Sequence, residues 1–66
     1  MIFKSTNDAL DYGRQHKGDT IIKQKLLKRR ARFVRLAKQA QQQKAYNAAL
    51  AYAVRAQFYR EAMEVM

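Results

Sequence analysis

Apolar residues recur at steps of three and four along most of this chain, the period of an amphipathic helix. The pattern weakens around residues 17–19 and again across residues 41–47. Three helices are therefore expected, over about residues 6–16, 20–43 and 46–65. No proline occurs, and both glycines, Gly13 and Gly18, lie in the first third. The remainder is free of the strongest helix breakers and rich in Ala, Gln, Lys, Arg and Leu, which favour helix.

Local signals place the ends. Ser5, Thr6, Asn7 and Asp8 read as a capping box, with Ser5 as N-cap and Asp8 at the third helical position. Asp8 and Asp11 come early in the first helix, and Arg14, His16 and Lys17 come late, as the helix dipole prefers. Gly18 suits the stop. Ala9, Leu10 and Tyr12, with Ile2 and Phe3, are expected to bury one side. Asp19 or Thr20 can cap the second helix.

On the second helix Ile22, Leu26, Phe33, Ala37 and Ala40 share a face, which Leu27 and Val34 widen. Lys25, Lys28, Arg32 and Arg35 fall opposite, continued by Gln39 and Gln42. Lys23 and Arg30 sit near the edge of the apolar face, where long stems can reach out to water. The third helix carries two apolar stripes. One is Leu50, Val54, Phe58, Ala62 and Val65, and the other is Tyr52, Tyr59, Met63 and Met66. So wide an apolar surface needs two neighbours.

Between the second and third helices the turn signal is the polar run at residues 41–47, with Asn47 as a cap. The rival is one unbroken helix over residues 20–66, ~70 Å long at 1.5 Å per residue. The expected fold is all-α: a short N-terminal helix followed by an antiparallel helical hairpin. It forms one small domain over residues 1–66.

Phe33, Leu36, Ala37, Ala40, Tyr46, Ala49, Ala53 and Ala56 resemble one tetratricopeptide-type helix pair. In that pattern a bulky residue opens the first helix, small residues mark close crossings, and an aromatic opens the second. The run Ala45, Tyr46, Asn47, Ala48, Ala49, Leu50, Ala51, Tyr52 is also similar to the second-to-third helix junction of microtubule-interacting-and-trafficking domains. The resemblance spans about 25 residues and implies a protein-interaction module. It departs from the pattern at Lys44, where a glycine is usual, and at Glu61, where a proline closes the motif.

Composition narrows the function. A 66-residue chain buries only ~60% of the surface its unfolded chain exposes and gains from a partner, so an oligomer is expected. There are no cysteines and one histidine, which excludes disulfides and thiolate metal sites and leaves no expected cofactor or metal. No leader-like or membrane-spanning run occurs in the sequence, so a cytoplasmic protein is expected. The five carboxylates, Asp8, Asp11, Asp19, Glu61 and Glu64, sit in the first third or the last turns. His16, late in its helix, suits a dipole or capping role. No catalytic constellation or phosphate loop can be assembled, and neither an enzyme nor a small-molecule site is expected.

Charge adds the sharpest lead. Fourteen Lys and Arg against five Asp and Glu make +9. Residues 20–60 hold eleven of these cations and no carboxylate, and eight of the eleven lie within residues 23–38. A merely solvated helix face mixes signs, because oppositely charged pairs four apart support it. Here Lys25/Arg29, Lys28/Arg32 and Lys25/Lys28 are like-charged neighbours, each costing a few tenths of a kcal/mol. Such a local cost marks function.

The expected function is non-enzymatic binding of DNA or RNA, without sequence specificity, through Lys25, Lys28, Arg29, Arg32, Arg35 and Lys38. The nearby Gln39, Gln41, Gln42 and Gln43 can add hydrogen bonds. The alternative is a helical adaptor that binds a protein partner or itself through Tyr52, Tyr59, Met63 and Met66. A role at a membrane surface is not expected, because the hairpin consumes the apolar face.

Overall fold

A computed structural model describes residues 3–66. The contribution expected of Ile2 lies outside the described residues. Those described are 81% helical and contain no strand, so the fold class is all-α. The helices are α1 (Thr6–Gln15), α2 (Thr20–Gln42) and α3 (Tyr46–Glu64). Each stops one residue short of the expected end, because His16, Gln43 and Val65 leave helical geometry as caps.

The Ser5 side chain accepts from the Asp8 N–H at 3.2 Å. The Asp8 carboxylate reaches back one residue further than a capping box requires, accepting from the Lys4 N–H at 3.2 Å. Asp19 caps α2 by accepting from the Ile22 N–H at 3.1 Å, and Thr20 is the first helical residue. His16 caps the end of α1 through its backbone N–H and sets its ring 4.3 Å from that of Tyr12. Asn47 does not cap α3. The cap is Ala45, which supplies no side-chain bond.

The chain leaves α2 through a Schellman turn. The Lys44 N–H donates to the Gln41 carbonyl at 3.0 Å and the Ala45 N–H donates to the Ala40 carbonyl at 2.8 Å. This geometry puts Lys44 at φ 61°, in the left-handed region. The residue where the tetratricopeptide-like pattern wants glycine is thus the one with left-handed backbone. That conformation costs an L-residue roughly 1 kcal/mol, offset in part by the greater unfolded freedom of a glycine. Lys44→Gly is expected to stabilise the fold by about 0.5 kcal/mol, or roughly 3 °C in Tm, on thermal unfolding followed by circular dichroism.

α3 is the central element: it packs against both α2 and α1, whose backbones stay apart. The core is thin: among the described residues Leu26 is the one large side chain fully buried, with Ala9, Tyr59 and Ala62 around it. An aromatic chain ties the elements together. Phe33 on α2 stacks on Tyr59 of α3 at 5.6 Å and lies 6.2 Å from Tyr52. Phe3 meets Tyr59 and Tyr12 edge-on, each at 5.4 Å. Each such pair contributes about 0.5–1.5 kcal/mol beyond its buried area.

The contact between α1 and α3 is closer than side chains alone allow. Gly13 is buried, and a Cβ there would overlap the carbonyl oxygen of Ala62 and Cγ2 of Val65. Gly13, with Ala9 one turn earlier, lets the two backbones approach.

α1 has 10 residues and α3 has 19, so at 1.5 Å per residue α1 spans about half of its partner. The apolar stripe of α3 divides accordingly. Ala62 is buried and Phe58 and Val65 are half-buried, while Leu50 and Val54 remain 66% and 43% exposed. On α2 the expected widening of the apolar face divides too: Leu27 is exposed and Val34 half-buried. No helix among the described residues is long and apolar enough to cross a membrane.

Candidate functional site

α2 presents its cations because two independent requirements agree. The apolar residues Ile22, Leu26, Phe33, Ala37 and Ala40 turn toward α3, fully or partly buried. At 3.6 residues per turn, Lys25, Lys28, Arg32 and Arg35 must then face away. All four are exposed, as are Arg29 and Lys38 at the margins of the row.

None of these six side chains is held by a carboxylate. Among the described residues the ion pairs are Arg14 with Asp11 at 3.4 Å and Arg60 with Glu64 at 3.1 Å, both outside α2. Arg55 of α3 is placed differently, its guanidinium 5.9 Å from the Phe33 ring centre in a cation–π contact. The Lys25–Lys38 row covers 13 residue steps, about 20 Å along the axis. One DNA strand places a phosphate every ~3.4 Å of duplex axis, so the row spans about six phosphates.

Of the expected partner residues of α3, Tyr59 is buried and Tyr52, Met63 and Met66 are half-buried. Tyr59 is 6% exposed and sits in the core against Phe33 and Phe3. Met63 and Met66 are half-buried against that same core, and Tyr52 packs beside Phe33. Part of their surface is thus used within the chain. The exposed large apolar residues of α3 are instead Tyr46, Leu50 and Val54.

A groove of about 480 Å³ runs along one edge of the α2–α3 contact. Val34, Ala37, Ala49, Ala53 and Ala56 give it an apolar lining, together with Leu50. Arg30, Lys38, Gln41, Tyr46 and Gln57 add the polar and aromatic groups. No carboxylate lines it. A shallower hollow beside it is shared by Arg30, Ala31, Val34, Arg35 and Lys38, so groove and basic row are continuous.

From the sequence, Tyr46, Tyr52 and Tyr59 read as a core or oligomer seam, with base stacking beside Arg55 and Arg60 as the alternative, and nothing gathered Tyr46 with residues of α2 into a groove. A signal was present in two parts: Tyr46 and Leu50 four residues apart, and the small residues Ala37, Ala49, Ala53 and Ala56 of the tetratricopeptide-like pattern. Glu61 is a separate oddity. Gln57 donates to its Oε1 at 3.3 Å, while its Oε2 is buried without a hydrogen-bond partner.

Among the described residues no group of three His, Asp or Glu side chains is arranged to hold a metal ion. No family model, no curated protein and no solved structure matches this chain. The tetratricopeptide likeness therefore stays a local pattern of residues, and the functional argument rests on the surface itself.

Proposed function

We propose that this protein is a non-enzymatic binding protein that engages DNA or RNA through the exposed basic face of α2. One observation carries the reading: Lys25, Lys28, Arg29, Arg32, Arg35 and Lys38 are all exposed, and no carboxylate pairs with any of them. A cation already paired with a carboxylate must give up that partner to bind a phosphate, and these need not. Arginine adds a planar fork that makes two parallel hydrogen bonds to phosphate. Nothing in the row indicates base specificity, so backbone charge sets the binding.

In this reading α2 and α3 form an antiparallel helical hairpin that holds the row straight, and α1 braces α3 from the side. The adaptor alternative draws less support. Of its four named residues Tyr59 is buried and Tyr52, Met63 and Met66 are half-buried, and a second copy brings a further +9 of like charge.

The test is an anisotropy titration of a labelled duplex across salt concentration. Neutralising about six phosphates gives a log–log slope near −5. A slope near zero, or no binding at about 50 mM salt, sinks the proposal.

A further inference from the structure

We infer that the groove between α2 and α3 takes an unstacked nucleobase, so that the protein favours single-stranded nucleic acid over duplex. The inference rests on the reading of α2 as a phosphate-binding face and adds a second, chemically different contact to it.

Position comes first. Lys38 belongs to the basic row and also lines the groove, and Arg35 lines the hollow that joins the two. A strand laid along the row passes the groove mouth within reach of its next base.

The chemistry inside suits a base and not a phosphate. The floor is the methyl surface of Val34 and several alanines, which offers a phosphate no donor. At the mouth stands Tyr46, 63% exposed at the first position of α3. Its ring is free to present a face, unlike that of Tyr59, which is buried, or of Tyr52, which packs beside Phe33. The amide of Gln41 offers donors and an acceptor to a base edge, Gln57, whose Nε2 donates to Glu61, adds its carbonyl oxygen, and Arg30 and Lys38 hold the flanking charge.

Base stacking on an aromatic ring is tolerant of sequence, because every base has a flat face. A duplex already stacks its bases, so only an unpaired strand can use the groove. Charge argues against the other occupants of an apolar groove. A second copy brings another basic surface toward Arg30 and Lys38, and a basic peptide meets the same repulsion.

The experiment compares a labelled oligo(dT) of about 20 nucleotides with a duplex of equal length, a span suited to groove-tracking single-strand binders. Wild type is measured beside Tyr46→Leu, which keeps an apolar side chain but removes the ring. It is also measured beside Ala53→Leu, which fills the groove from an exposed position and leaves the core alone. Circular dichroism checks that both variants fold.

The expected result is oligo(dT) binding about tenfold tighter than duplex. Each variant is expected to lose that preference while duplex affinity stays within about twofold. The chain has four tyrosines and no tryptophan, so intrinsic tyrosine fluorescence gives an independent readout. Oligo(dT) should quench it in wild type and much less in Tyr46→Leu.

Equal affinity for the two substrates, unchanged by either variant, overturns the groove assignment and leaves the basic row standing. Absence of binding to both overturns the basic row as well. A dimer in sedimentation that Leu50→Glu converts to monomer assigns the groove to a second copy and overturns the inference. So does tighter binding to an acidic peptide than to oligo(dT).

Discussion

Gly13→Ala is expected to detach α1 from α3. Inside a helix, alanine is ordinarily better than glycine by about 1 kcal/mol, so on α1 alone the change should help. The tertiary contact reverses the sign. The added Cβ meets the Ala62 carbonyl oxygen and the Val65 side chain. A side chain can rotate away, but the carbonyl belongs to the helical backbone of α3, so the helices themselves must separate. Overpacking of this kind costs about 1–3 kcal/mol. A chain of 66 residues has on the order of 3–10 kcal/mol in total.

Because α1 rests on α3 and its backbone stays clear of α2, the damage should be local. Amide exchange is expected to accelerate over residues 9–16 while the middle of α2 and of α3 stays protected. Asn7→Ala, on the exposed first turn of α1, gains helix propensity without touching α3 and should be neutral or mildly stabilising. Unchanged exchange in Gly13→Ala would mean that α1 is not seated as described.

Replacing Lys25, Lys28, Arg32 and Arg35 together by glutamine is expected to have the largest effect on binding. It leaves Arg29 and Lys38 of the six-residue row. With four of about six phosphate contacts gone, the salt slope should fall from near −5 to near −2, and low-salt affinity by at least about 100-fold. All four side chains are exposed, so no buried contact is lost. Removal of the like-charged Lys25/Lys28 and Lys28/Arg32 neighbours should raise Tm slightly.

That combination separates function from fold. Anisotropy titrations at several salt concentrations, with a melting curve on each protein, read both. Full retention of affinity by a folded quadruple variant would remove the basic row from the mechanism.

The two variants also show which properties were local. The charge row was legible because exposure of alternate helix faces follows from period alone. Once Leu26 and Phe33 face inward, Lys25 and Arg32 face outward, whatever the rest of the chain does. The ends of α1 and the start of α2 were legible for the same reason. Ser5 and Asp19 act on N–H groups three residues away, so their environment is nearly all in the sequence window around them.

The end of α2 was half legible. The polar run at residues 41–47 marks a turn, but no residue there announces left-handed backbone. Lys44 adopts it because the Schellman hydrogen bonds demand it. Asn47 was a reasonable cap by residue type and lost that place because the turn closes two residues sooner, at Ala45.

The apolar residues of α3 were another matter. Both stripes were visible, but nothing in a 3.6-residue period says which one is covered. That depended on where α1 crosses and how far it reaches. α1 meets Ala62 and Val65 at Gly13, Phe58 is half-buried against the core, and Leu50 and Val54 stay outside. The aromatic stack then drew Tyr59 into the core and left Tyr46 at the surface.

By itself, therefore, the sequence determined an all-α chain, the helix starts set by Ser5 and Asp19, and an outward row of unpaired cations on α2. These are consequences of hydrogen bonds and periodicities within a few residues. Only the tertiary structure decided the close approach at Gly13, the burial of Tyr59 and the groove beside Lys38. Those depend on distances between residues far apart in the chain, and local chemistry leaves such distances open.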